Sequence, residues 1–403
     1  MQLEALNREW NRLLRDVPYH GEQRDRLGLP ETFESIEEFL DRVPPTDRGA
    51  VQRHRDAMSS RSRPADWTRM TGGSTAAPVQ LPAWREELRH TSVDLWFART
   101  WFGVRRDSRL FQIWGHSHLL GRGWRGRVNA LKRRVSDRLL GYLRFSAYDL
   151  RPEVLRGAGL ELLRFAPEYV LGYSVALHAL ARANEDRAER FRALGLKVAI
   201  ATAEAFPHPD ARGTVERVLG CPVAMEYGAV ECGVVAHEHP EGGYRSFWRT
   251  FLLEAESSGT GRHLLRLTSL YPRAFPLVRY EIGDEIELLE PNVRREWSID
   301  RFHRVVGRCN DYVEIDGAMI HSEAFAHAVR PCEAIRGFQV VQGSRGLRIR
   351  YTAPAELGAG EVEAILERLR KIRPALGAAR LERVESLPQT VAGKTRMVVQ
   401  EAE

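Results

Sequence analysis

At 403 residues, 43% hydrophobic and 28% charged, the chain is too long for one ordinary core and has the composition of a globular protein with two or three domains. No run of eighteen apolar residues is present, which argues against a membrane partner, and the charged amphipathic start MQLEALNREWNRLLRD is no signal peptide. The net charge of +6 comes from 56 arginines and only four lysines (Lys132, Lys197, Lys371, Lys394), so it reflects codon bias more than a nucleic-acid partner. No motif or aromatic-studded basic groove accompanies it.

In chain order, residues 1–66 read as helical, with PETFESIEEFLDRVPPTDRG (30–49) a capped helix stopped by Pro44-Pro45. The dense cationic stretch 121–140 fits a solvated helix face, or a surface for the phosphates of a cosubstrate or an acidic carrier. RPEVLRGAGLELLRF (151–165) has helical spacing and EYVLGYS (168–174) is a short apolar strand. Residues 175–195 read as one long amphipathic helix, LKVAIATAE (196–204) as a buried strand, Thr214–Leu219 as a helix, and CPVAMEYG (221–228) as another strand. This β-α-β-α-β rhythm predicts a parallel sheet with helices on both sides, whose ligands bind beyond the carboxyl ends of the strands. From Trp248 the pattern turns sheet-rich. Past Gly307 lie short strands, one helix (359–373) and a last strand (RLERVESL). The expected organisation is an α/β chain: a large N-terminal domain, 1–307, with a parallel βα core and a smaller β-rich subdomain, then a small mobile α+β lid, 308–403.

Five constellations carry chemistry. TGGSTAAP (Thr71–Pro78) packs hydroxyls and glycines into a turn whose N–H groups can face anionic oxygens, though a solvent loop would look the same. In MEYGAVE (Met225–Glu231), a Tyr at a strand end can stack on a base, and a carboxylate four residues on can hold Mg²⁺ against phosphates; a plain turn with a surface Glu reads equally well. In LYPRAFPLVRYEIGDEI (270–286), Asp284 follows a glycine inside a strand pattern, suggesting a bend that offers a carboxylate to ribose hydroxyls. GRCNDYVEIDGAMI (307–320) sits where a linker belongs. LPQTVAGKTR (387–396) is a Gly-Lys turn holding one of the few lysines.

Taken in order, these segments resemble the superfamily of acyl-CoA synthetases, peptide-synthetase adenylation domains and luciferases, most closely its phenylacetate–CoA ligase-like branch. The phosphate loop matches at Thr71–Pro78, the T-[SG]-E segment at Thr202-Ala203-Glu204, YGx[ST]E at Tyr227–Glu231, the ribose motif at AFPLVRYEIGD, GRxxD at Gly307–Asp311, and P-x-x-x-x-GK at Pro388–Lys394. The resemblance implies ATP-dependent activation of a small, perhaps aromatic, carboxylic acid as acyl-AMP, followed by transfer to a thiol such as CoA. Thr71, Gly72, Gly73, Ser74 and Thr75 would cradle phosphates. Ala203, Glu204, Glu226, Tyr227 and Gly228 would frame adenine, and Asp284 with Arg308 would hold the ribose. Glu231 would help bind Mg²⁺, Asn310 would be the hinge, and Lys394 would bridge the reacting carboxylate and the α-phosphate. Trp114, His116, Tyr148 and Tyr173 are candidates for the acid pocket, with His118 also near. An amine or a carrier-protein thiol as acceptor, adenylyl transfer as end product, and a catalytically silent binding protein are the alternatives. Ala76, Ala77 and Val230 depart from the family pattern and motivate the last. A zinc site at Cys232, His237 and His239 lacks a clear fourth ligand. Cysteines without CxxC pairing fit reduced thiols and a cytoplasmic setting.

Overall fold

The computed structural model describes residues 1–70, 80–114, 135–147, 149–203, 206, 210–259, 262–290, 295–305, 312–329, 331–332, 334–343, 346–387 and 397–400. The chain divides into two compact units, each discontinuous in sequence: 1–71, 79–105 and 224–308, and 72–78, 106–223 and 309–403.

The first unit opens with a helical layer. Helix Gln2–Asp16 buries Leu6, Trp10 and Leu13, a spacing of four and three that puts all three on one face. They pack with Phe33, Ile36, Phe39 and Leu40 from the segment around helix Ile36–Arg42 and with Leu252, Leu270 and Val278. That helix is capped by Ser35, whose side chain accepts from the Glu38 N–H, and it stops before the two prolines, as the sequence predicts. Two sets of antiparallel strands follow. One has the order 295–297, 251–259, 262–269, 280–287 and 304–305. The other contains Arg301–Phe302, Tyr244–Ser246, Gly233–Glu238 and Val223–Ala229. A hairpin, Trp67–Met70 with Gln80–Ala83, brackets residues 71–79.

Arg279 joins the helical layer to the sheet. It is buried, sits at φ +46°, and donates from Nε (3.0 Å) and Nη2 (2.7 Å) to the Glu254 carboxylate. Its Nη1 donates to the carbonyls of Leu40 and Val43, which helix Ile36–Arg42 leaves without intrahelical partners. Its own carbonyl accepts from Thr46 N–H, and Thr46 O accepts from Glu281 N–H. A left-handed arginine is strained backbone, and these bonds hold it there.

In the second unit, strands Leu110–Trp114, Tyr142–Ser146, Tyr169–Tyr173 and Val198–Thr202 pair in parallel, confirming the parallel sheet expected from the βα rhythm. Helices Pro152–Phe165, Ser174–Ala183 and Ala211–Leu219 accompany it. The single long helix expected over 175–195 is instead broken into Ser174–Ala183, a 3₁₀ turn Glu185–Arg187 and Ala188–Arg192. Asn184 causes the break. It is fully buried, and its amide donates to the carbonyls of Leu155 and Leu180 while its Oδ1 accepts from Arg187. A short amide side chain bonding backbone in this way competes with helix continuation. Toward the C-terminus, strands 380–383, 346–352, 337–343 and 398–400 form a mixed sheet. Its core is shared with helix Ala359–Ile372 and a second helix, Ser322–Val329, which the sequence reading missed. No helix among the described residues is long and apolar enough to cross a membrane.

Two predictions follow from the first unit. Glu254→Gln leaves the Arg279 cation buried without its counter-charge, so it lowers unfolding free energy by about 3–5 kcal/mol in urea titration; a loss under about 1 kcal/mol would show the pair to be idle. His20 is fully buried against Trp10 and Tyr19. Burial, with Arg12 adding to it, lowers its pKa to about 4. A depressed histidine pKa gives stability that is whole above pH ~6.5 and falls as pH drops toward 4. Wild type therefore loses about 2 kcal/mol from this group between pH 7.5 and 5, and His20→Phe removes that component of the slope.

Candidate active site

Strand Val223–Ala229 points successive side chains to opposite faces. Glu226 turns to one side, where Arg99 donates to its Oε1 from Nε (3.0 Å) and Nη2 (2.8 Å). His237, directly across the ladder, lies 3.9 Å from the same oxygen and is held toward its neutral form by burial. The Glu226 side chain is thus engaged by Arg99. Tyr227 turns to the other face. Its ring meets the stacked pair Tyr244–Phe302 edge-on, and its hydroxyl donates to Asp284 Oδ2 at 3.0 Å. Gly228 follows at a register slip in the ladder. A Cβ there would stand 2.1 Å from Gly233 O, so only glycine fits.

Asp284 is delivered by a bulge. Strand Tyr280–Glu287 slips its register against Leu264–Arg266, and Gly283 inside the slip has φ +85°, open to glycine and costly for other residues. The bend that the sequence suggests is therefore real. It sets a buried carboxylate against Tyr227, two residues 57 apart in sequence.

Glu231 lies just past the Ala229 strand end and is 7% exposed. Tyr280 Oη reaches its Oε1 at 3.5 Å, and its main-chain carbonyl accepts from both Arg69 and Arg273. A carboxylate is the kind of hard oxygen ligand that Mg²⁺ takes, with its remaining ligands from phosphates and water, and at Glu231 it stands among Arg48, Val51, Leu81, Phe275, Leu277 and Tyr280. Neighbouring Cys232 is buried, and burial pushes its thiol up to about 12. Among the described residues no cluster of three metal-ligating side chains exists. His237 Nδ1 is engaged by Glu238 O, and His239 lies beside Glu241.

In the second unit, Trp114, Ser146, Tyr173 and Thr202 end the four parallel strands at their carboxyl edge. Trp114 and Tyr173 come together there, ring centroids 4.7 Å apart. Ala203, the next residue after Thr202, adopts φ +72°, a left-handed alanine where the family pattern has Gly or Ser. Lys197 and Lys371 pair with Glu168 and Glu367, so these two lysines have structural explanations. Thr71, Gly72, Gly73, Ser74, Thr75, His116, His118, Tyr148, Glu204, Arg308, Asn310 and Lys394 lie outside the described residues. The sequence reading missed Arg69, Glu87, Arg99 and Arg273, since nothing distinguishes four residues of these types among so many arginines and acids.

No protein-family profile matches the chain. It is 28% identical over 181 residues to protein CapK of Staphylococcus aureus, a match covering 43% of this chain and 39% of CapK. Among solved structures it resembles a 2-hydroxyisobutyryl-CoA ligase in complex with 2-HIB-AMP and CoA in the thioesterification state, with a TM-score of 0.62 at 17% identity, across 99% of this chain and 89% of that one. The same ligase in an open conformation gives 0.58 at 18% identity, across 99% and 91%. The chain has the fold of this CoA ligase.

The strained alanine yields a prediction. Ala203→Gly removes a Cβ that costs about 1–2 kcal/mol in left-handed backbone, partly offset by about 0.5–1 kcal/mol of glycine chain entropy. Its urea midpoint therefore stays at or above wild type, whereas Ala203→Val lowers it.

Proposed function

We propose that the chain is an AMP-forming acid ligase: it joins a small carboxylic acid to AMP at the expense of ATP, releases pyrophosphate, and passes the acyl group to a thiol such as CoA. The observation that carries this reading is the Tyr227–Asp284 hydrogen bond at 3.0 Å. It unites an aromatic platform and a buried carboxylate from the two motifs whose family roles are adenine and ribose binding. The fold of a ligase crystallised with an acyl-AMP and CoA supports it, as does the motif order along the chain.

In this reading a carboxylate oxygen of the acid attacks the α-phosphorus. The new P–O bond forms as the α–β anhydride breaks, and pyrophosphate leaves with the electron pair. The attack runs toward a highly anionic centre, so the protein's work is positional and electrostatic. Tyr227 and Gly228 seat the base, Asp284 and Arg308 fix the ribose, and the 71–75 loop holds the outer phosphates. Glu231 is the group that would hold Mg²⁺, which supplies charge neutralisation on the phosphates. Lys394, on a C-terminal lid of residues 308–403 hinged at Asn310, neutralises charge developing at the α-phosphate. In the second step the thiol sulfur bonds to the acyl carbon, AMP departs with the electrons of the C–O bond, and the thiol proton passes to solvent. Trp114 and Tyr173, with His116 and Tyr148, form the proposed wall of the acid pocket, which suits a compact acid with a flat face. A reducing cytoplasm supplies the ATP and CoA this requires.

A pyrophosphate-exchange screen over carboxylic acids tests the reading. Acid-dependent labelling of ATP is expected, and none with any acid would leave a silent binding protein. Adding CoA should consume free thiol; an amine or a carrier protein doing so instead would change the acceptor and keep the first step. Lys394→Ala should lower the exchange rate by roughly 10²–10³, as loss of one preorganised donor does, and an unchanged rate would remove Lys394 from the chemistry.

A further inference from the structure

A groove of about 620 Å³ opens on the first unit between helix Gln2–Asp16 and the segments around Trp248 and Tyr271. That volume is in the range of small-molecule sites, and none of the residues lining it has a part in the acid-ligase reading. Of those residues Thr250, Leu270 and Tyr271 are buried, whereas Trp248 is 43% exposed. The main chain of Trp248 is tied to the helix, its carbonyl accepting from Gln2 Nε2 at 2.7 Å.

Four arginines line the groove against two glutamates. Arg8, Arg12 and Arg15 follow at intervals of four and three, which places them on one face of the helix. Glu9 accepts from Arg12 Nε at 2.8 Å, and the Glu4 side chain is exposed. Arg8 and Arg15 are exposed and form no ion pair among the described residues. Arg12 Nη1 and Nη2 are shielded from solvent without a hydrogen-bond partner among the described residues, with Asp16 3.9 Å from Nη1. Arg249 is held in one orientation. Its Nε donates to Asp94 Oδ1 at 2.8 Å and its Nη2 to the His90 carbonyl at 2.6 Å, which leaves Nη1 uncommitted among the described residues. The His90 ring in turn stacks on Tyr271, centroids 5.1 Å apart.

Like charges three and four residues apart weaken a helix, and donors shielded without acceptors are costly. Solvation alone explains arginines on an open helix face. Here the stripe borders a concavity that also holds an oriented guanidinium and an exposed indole. Guanidinium forks match the paired oxygens of phosphate and carboxylate, and an indole face takes a flat apolar body. We propose that the groove binds a small organic oxyanion, a phosphate or carboxylate carried on a flat apolar body. Arg249 orients the head group, Arg8, Arg12 and Arg15 supply the attracting charge, and Trp248 supports the body. The site is separate from the one in the acid-ligase reading and stands whether or not that reading holds.

Titration calorimetry on the full chain, without ATP, tests this with phenyl phosphate and benzoate as probes and with phenol and inorganic phosphate as fragments. Equimolar binding of phenyl phosphate, of benzoate or of both is expected, and whichever binds identifies the head group. Each fragment should bind more weakly than the probe that contains it. The double variant Arg8→Gln/Arg15→Gln changes two exposed side chains, so its thermal midpoint should match wild type while probe affinity falls about tenfold or more. Arg249→Lys keeps the charge, loses the fork and should weaken binding too. Trp248→Ala should weaken the aromatic probes and leave inorganic phosphate unaffected. Affinity that all these variants leave unchanged would put the probe in another site, the nucleotide or acid site included, and overturn the proposal. No binding of either probe by wild type at millimolar concentration would overturn it as well.

Discussion

Three buried acids of the first unit are gripped by arginine guanidiniums, and each grip lies beside a residue of the candidate site. Arg99 holds Glu226, the neighbour of Tyr227. Arg69 and Arg273 converge on Glu87 and on the carbonyl of Glu231. Arg279 holds Glu254 and starts the chain toward Asp284. A lysine in these places would offer a single point of charge. A guanidinium offers several donors in fixed directions, and so sets orientation as well as proximity. Once such a pair is dry, losing either partner strands the other, so the strands that carry the site cannot drift without breaking it.

That constraint accounts for the division of labour proposed along the chain. Tyr227, Gly228 and Asp284 sit on ladders whose irregularities are glycine-dependent: a contact that admits no Cβ at Gly228 and a left-handed Gly283. Such features are open to glycine and costly for any other residue at these two positions. The aromatic stack of Tyr244 and Phe302 keeps the Tyr227 ring upright, leaving its hydroxyl on the Asp284 carboxylate. The proposed nucleoside end of the site is thereby held rigid.

Local patterns were legible in the sequence where one interaction decided them. The Ser35 cap, the apolar runs 169–173 and 198–202 and the Gly283 bend each depend on a few adjacent residues. The break at Asn184 was not legible, because it depends on carbonyls of Leu155 and Leu180 reached only after folding. Nor were the buried arginines: with 56 in the chain, type and spacing do not separate an arginine on the surface from one clamping a carbonyl 162 residues away. Glu226 illustrates the same limit: its bond to Arg99 joins residues 127 apart, which no local pattern announces. Of the chemistry, the Tyr227–Asp284 meeting was implied by family resemblance alone, and the fold supplies its geometry.

A crystal structure with a non-hydrolysable acyl-adenylate analogue, an acyl-sulfamoyl adenosine, tests the central claim most directly. The account predicts adenine lying against Tyr227 with both ribose hydroxyls on Asp284. Adenosine bound away from these two side chains, or an analogue excluded while they stay bonded to each other, would contradict it.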